Sequence, residues 1–265
     1  MGILLCSPLA VSTNNETITL TPDNHILFSG VVTDASVTVN QLKLGQLSAR
    51  LPRNATIYLV LDTPGGSVPA GNLFIDFAKS LPQKIKPISI FAASMGYHMF
   101  QSFDERIMQS SSTIMSHRVS LSGLSGQVPG ELVTRLNSII SISNQMDDVA
   151  SKRVGLSRKD YQDLIHDELW LSGSDAVATG HADKLAKISC SEELINGTRI
   201  EQVDTLFGPL DVKFSACPLI SGYISFEISK VANTSGVVYQ TPKDNGEVAK
   251  AIKFAKRKVV MGVVW

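Results

Sequence analysis

The chain has 265 residues, and its 24 basic and 24 acidic side chains give a formal net charge of zero, which favours neither nucleic acid nor an anionic surface as partner. Hydrophobic residues make up 43% of it, enough for a sizeable core, and the length suits one large domain or one domain with an appendage. No apolar run reaches the roughly 18 residues needed to cross a bilayer, so no integral membrane segment is expected.

Residues 2–11, GILLCSPLAV, are apolar and run into the polar stretch STNNET. That is the shape of the end of a secretory signal, but no Lys or Arg precedes it, so a plain N-terminal arm fits as well. Cys6 lies in this stretch, which leaves Cys190 and Cys217 as an even pair. An exported protein with one disulfide accounts for the pair, and so do two unrelated buried thiols. On the first reading an extracytoplasmic location (periplasm or envelope) is favoured over the cytoplasm. No CxxC or Cys/His cluster has metal-site spacing, so no metal or other cofactor is expected.

Apolar runs of strand length then alternate with helical periodicity, which argues for an α/β domain. Residues 26–32, ILFSGVV, read as a first strand, and Ile57–Leu61 as a second, buried on both faces. The turn Thr63–Gly66, TPGG, follows, and Leu73, Phe74, Phe77 and Ala78 mark one face of a helix. Pro87–Phe91 is a strand that enters AASMG; a short strand at Ile107–Met108 and the segment Thr113–Ser116 lead to His117. Residues 119–130 are loop-like, and Leu132, Leu136, Ile139, Ile140, Met146, Val149 and Ala150 keep helical spacing over about five turns. Further helices start at Ser157 and at Ser172 or Ser174, and HADKLAKI closes the domain as a strand. Beyond residue 190, DVKFSA, YISFEIS and GVVYQ read as short strands, and EVAKAIKFAKRK as a basic helical piece whose charge suits a solvated face. These readings divide the chain into an N-terminal arm or signal-like segment at 1–24, a main domain at 25–190 and an extension of unassigned role at 191–265.

Ser94 stands at a strand-to-helix junction, where free backbone N–H groups favour developing negative charge. Ala92, Ala93 and Gly96 around it are small enough for a carbonyl to approach; a capping serine is the simpler account of the same pattern. Gly65 and Gly66 could turn N–H groups toward an oxyanion or an extended peptide, or form an ordinary tight turn. His117 suits a general base for serine, although His25, His98, His166 and His181 are not excluded by position. A carboxylate that orients the imidazole is offered by Asp167 or Glu168, next to the apolar Trp170 and Leu171.

Taken together, ILFSGVV, IYLVLDTPGGSVPAG, FAASMGYHMF, IMSHR and LWLSGSDAVATGHADKL resemble the Clp protease proteolytic subunit family, in the right order over about residues 25–188. The resemblance implies a superhelix of β-β-α units shared with the crotonases, a protruding handle formed by residues 119–153, and a C-terminal extension of short strands outside the common core. It implies Ser94 as nucleophile, His117 as base and Glu168 in the place where the family has aspartate, with Asp167 out of register by one. The N–H groups of Gly66 and Met95 would form the oxyanion hole, and Gly65, Ser67 and Val68 would pair with an extended peptide or protein substrate. A homo-heptameric ring or double ring enclosing a degradation chamber follows from the family, while dependence on an ATPase partner is not carried over.

Three rivals are weighed against this reading. A crotonase acting on acyl-coenzyme A needs no serine nucleophile. A serine–lysine peptidase needs a lysine, and none lies near AASMG or MSHR. A catalytically weak or inactive ring scaffold that binds peptides or partners would tolerate a misplaced acid.

Overall fold

The computed structural model describes residues 16–121, 123, 125–205 and 208–228; the signal-like stretch with Cys6, the GVVYQ strand and the basic piece at 247–258 lie outside them. The chain forms two compact units that divide between Ser189 and Cys190.

The first unit begins with β1 (Thr17–Leu20), β2 (His25–Ser29), α1 (Asp34–Arg50), β3 (Thr56–Thr63), α2 (Val68–Ser80) and β4 (Lys84–Ala93). It continues with α3 (Met95–Gln101), β5 (Ile107–Ser116), α4 (Gly130–Val154), α5 (Arg158–Leu164), β6 (Leu169–Ser172), α6 (Gly173–Ala178), β7 (Lys184–Leu185) and β8 (Lys187–Cys190). Its main sheet has the order β2-β3-β4-β5-β6, with β7 also on β5, and β1 pairs separately with β8. Strands β2 to β5 are parallel, and β6 runs antiparallel to β5.

Parallel strands joined through helices are covered on both faces, which is why β3 is a nearly continuous apolar run. Its Ile57, Leu59, Val60 and Leu61 are fully buried. Helix α2 is capped by Ser67, whose side chain accepts the Ala70 N–H, and has a proline in its first turn. It buries Phe74 edge-on to Phe28, with ring centroids 5.2 Å apart. Full burial of a side chain of this size contributes about 1.5–3 kcal/mol.

Several boundaries differ from the sequence expectations. The first strand stops at Ser29, because Gly30 turns the chain with a φ of +78°, and Val32 makes only an isolated bridge to Gly66. The short runs at 107–108 and 113–116 are two ends of one strand, β5. Its residues Gln109–Ser112 fall outside the register with β4. HADKLAKI divides into β7 and the start of β8, which pair with different strands. Helix α1 carries no clear apolar stripe and is set by its ends: Thr33 and Ser36 form a capping box, and Val37, Leu44 and Leu47 are buried.

A buried cation fixes the far side of the sheet. Arg106 is only 3% exposed, and Asp183 accepts its backbone N–H at 2.6 Å and its Nη2 at 2.6 Å. The Gln101 side chain and the His181 carbonyl take the remaining Nη1 hydrogens. The base of β5 is thereby held to the turn before β7.

The second unit holds α7 (Glu192–Asn196), β9 (Thr198–Thr205), β10 (Gly208–Ser215) and β11 (Tyr223–Ile228). The strands form an antiparallel sheet in the order β11-β10-β9. Leu210, Val212 and Phe214 alternate to one buried face of β10, and the Arg199 guanidinium lies 4.7 Å from the Phe214 ring centroid. A disulfide joins Cys190 to Cys217, with Cα atoms 5.8 Å apart. Among the described residues no helix is long and apolar enough to cross a membrane.

Candidate active site

Ser94 is the single residue between β4 and α3, and its backbone is held at φ 55°, ψ −119°. A left-handed φ on a residue with a side chain costs of order 1–3 kcal/mol and persists only where the surroundings fix it. Here the Ser94 N–H donates to the Met115 carbonyl at 2.9 Å, and all seven residues of α3 are buried behind it. The serine makes no side-chain cap to the helix. Its Oγ lies instead 2.7 Å from His117 Nε2, so the capping account of this residue does not describe its hydroxyl.

The two glycines of TPGG are packed against that elbow. A Cβ on Gly65 would stand 2.6 Å from the Ala93 carbonyl oxygen and 2.7 Å from Ser94 Cβ, and the residue has a φ of +92°. At Gly66, φ +144°, a Cβ would meet the Val32 carbonyl. Both features require glycine. Val32 donates to the Gly65 carbonyl and accepts the Ser67 N–H, each at 2.8 Å. The pairing groups of Gly65 and Ser67 are therefore already used. Among the described residues the N–H groups of Gly66, Val68 and Met95 take part in no hydrogen bond.

His117 follows the last residue of β5. Its neighbour Ser116 is fixed by a 2.7 Å hydrogen bond to the buried Tyr161 hydroxyl of α5. Beside the serine–histidine pair lies a cavity of about 70 Å³, lined by Gly66, Ser94, His117, Tyr97, Asp147 and Tyr161 among others. Burial pushes the Tyr161 phenol up to about 12 and that of Tyr97 well above its ordinary value. Burial, with the Lys79 charge nearby, pushes His98 on the same wall down to about 4, so its ring is neutral near pH 7. Burial also raises the Asp147 carboxyl above its usual range, against the hydrogen bond from Gln162 and the Arg118 and Arg158 charges.

The two acids differ from each other in their partners. Glu168 is held at φ 68°, and its Oε2 accepts the Trp170 indole N–H at 2.9 Å, while the Trp170 ring stacks on Phe91. Asp167 is exposed and lies 2.7 Å from His166 Nδ1. Among the described residues no carboxylate is hydrogen-bonded to His117.

Sequence reasoning passes over Tyr97, Ser116, Asp147 and Tyr161. Tyr97 reads as one more apolar residue of α3, and Asp147 sits one turn before Ala150, where an acid on the buried face of α4 was the available signal.

A serine hydroxyl within hydrogen-bond reach of an imidazole can lose its proton to the ring as its oxygen attacks an electrophile, and unpaired N–H groups beside it can hold the charge that develops. The family model described as Clp protease matches residues 12–189. The chain is 29% identical over 168 residues to the ATP-dependent Clp protease proteolytic subunit 1 of Chlamydia trachomatis, which covers 62% of this chain and 86% of that relative. It is 27% identical over 156 residues to the ATP-dependent Clp protease proteolytic subunit of Borrelia garinii, covering 56% of this chain and 79% of that relative. Because the family model spans well over half of its length, the chain belongs to the Clp protease family.

Proposed function

We propose that this protein is a serine endopeptidase in which Ser94 attacks the peptide carbonyl and His117 takes its proton. The observation that carries the reading is the 2.7 Å approach of Ser94 Oγ to His117 Nε2 at the elbow between β4 and α3. The oxyanion would rest on the N–H groups of Gly66 and Met95, which have no other partner among the described residues. His117 would then pass its proton to the leaving amine, and water would release the acyl group from Ser94. An extended substrate would pair at Val68, because Gly65 and Ser67 already pair with Val32.

Glu168 is the acid we assign to His117. Among the described residues it is one of three non-glycine residues with positive φ, together with Ser94 and Glu105, and strained backbone concentrates at functional sites. A rotation away from the Trp170 indole would release its carboxylate for the imidazole.

Residues 25–190 would form the peptidase domain, of the superhelical fold shared with the crotonases, and 191–265 an extension of it. A ring oligomer is supported by α4, the proposed handle, in which only Asp147, Ala150 and Ser151 near its C-terminal end are buried. Its exposed Val133, Leu136 and Ile140 mark an apolar face that a second subunit would cover. The Cys190–Cys217 bond supports an oxidising, extracytoplasmic compartment.

Fluorophosphonate labelling read by mass spectrometry tests the nucleophile. Label confined to Ser94 and lost in His117→Ala is the expected result. A folded protein that takes no label would favour a peptide-binding scaffold instead.

A further inference from the structure

The cavity beside Ser94 has an unusual wall for a hole in an otherwise apolar core. Asp147 is 9% exposed, and its Oδ2 accepts a single 2.8 Å hydrogen bond from the neutral Gln162 amide. Among the described residues no Lys, Arg or His nitrogen lies within 4 Å of it. Arg158 is engaged with Asp148, and Arg118 donates to the Gln162 carbonyl. Buried carboxylates are normally paired, since an isolated one is costly to desolvate. The second observation concerns Tyr97. It is 2% exposed, and its hydroxyl lies beside that of Tyr161 without reaching hydrogen-bond geometry, so a buried polar atom is left without a partner on the same wall.

From this geometry we propose that the cavity is a specificity pocket for a cationic side chain, lysine or arginine, on the residue whose carbonyl Ser94 attacks. Ser94, Gly66 and His117 belong to the lining of the pocket, and the residue whose carbonyl Ser94 attacks must sit beside them. Met146 and Ala150 line it as well and suit the methylene stem, while Asp147 accepts the hydrogens of the charged head. The same logic places an aspartate at the base of a protease pocket that selects basic residues. A neutral side chain of equal length would leave Asp147 unpaired and gain only the stem contacts.

The inference rests on the peptidase reading, but its test separates the two. In full-length Ser94→Ala protein, binding of peptides ending in lysine and in norleucine, which has a stem of the same length but no charge, is compared by fluorescence anisotropy. Lysine is expected to bind about ten- to a hundredfold tighter, the range of a charge-assisted hydrogen bond. In Asp147→Asn, which keeps its shape and a carbonyl for the Gln162 bond, that ratio should collapse toward one. A role confined to holding the helix would weaken both peptides and leave the ratio intact. Equal binding of the two peptides, or a lysine preference that survives in Asp147→Asn, would overturn the proposal, whether or not the unmodified enzyme turns over substrate. With the active protein, the same ratio should appear in kcat/KM for peptides differing only at that residue. Absent turnover beside a clear lysine preference would count against the catalytic reading alone.

Discussion

At the level of single residues, the geometry of the site is held from behind by atoms that do no chemistry. Gly65 is the plainest case: a methyl group there would overlap Ala93 and Ser94 in a backbone conformation that already disfavours side chains. Gly65→Ala should destabilise the fold by about 1–3 kcal/mol and lower kcat/KM by roughly a hundredfold, because a shift near 1 Å at a nucleophile has that effect. Thermal melts beside peptidase assays would check it, and near-normal turnover would show that the elbow adapts. Between the acids, Glu168→Gln should reduce kcat/KM about ten- to a hundredfold and Asp167→Asn far less. The reverse order would move the role to Asp167. The approach of Ser94 to His117 was legible in the sequence because AASMG and MSHR bring a small-residue elbow and a histidine at family spacing. The pocket wall was not, since Tyr97 and Asp147 sit at helical positions where only a three-dimensional neighbour distinguishes a pocket group from a core one.

At the level of elements, two cross-links tie segments that are distant in sequence. Arg106 and Asp183 anchor the base of β5, and removing the carboxylate would leave a guanidinium buried without its ion pair. Asp183→Ala should therefore cost about 3 kcal/mol, at the low end for such a pair because the Asp183 side chain is 37% exposed. Urea unfolding of the variant measures this, and a change below 1 kcal/mol would mean that Gln101 and water suffice. The disulfide closes a loop of 27 residues around α7, β9 and β10. By chain entropy a loop of that length is worth about 3.5 kcal/mol. Reduction should raise hydrogen exchange in β9 and β10 and leave the strands β2 to β5 protected. Unchanged protection after full reduction would show that the strand pairing alone holds this unit. The sequence revealed β3, β4 and α4 through long apolar runs or sustained spacing. It concealed α1, in which exposed Val39 and Leu42 and a mid-helix Gly45 blur the stripe, and it broke β5 in two at its exposed Ser110 and Ser111. Hydrophobic periodicity reports burial, and these elements are set by capping and by strand pairing instead.

For the molecule as a whole, buried histidines couple stability to pH. His98, 8% exposed, and His181, 2% exposed, are each pushed by burial from 6.5 down to about 4, with Lys79 adding to the effect at His98 and Arg106 at His181. His25 is lowered in the same direction by burial. A ring whose folded pKa lies below its unfolded one prefers to be neutral in the native state, so the unfolded chain binds more protons in the interval between the two values. The stability this represents is fully present above pH 6.5 and is lost as the pH falls toward 4. A fall from 6.5 to about 4 corresponds to roughly 3 kcal/mol for each ring. Asp183, held below its usual range by Arg106 against its own burial, withdraws its support only at still lower pH. Asp147, raised by burial, acts in the opposite sense and favours the folded state slightly as it protonates. The net expectation is a loss of several kcal/mol between pH 6.5 and 4, large against the 5–15 kcal/mol that holds a typical domain. Denaturant titrations at intervals of pH measure the slope directly. His98→Phe, which keeps a ring in place but cannot titrate, should flatten that slope by about half if His98 and His181 share it. A stability profile level from pH 6.5 to 4 would mean that both rings accept a proton in the folded state, and that water reaches the wall of the pocket on which His98 lies.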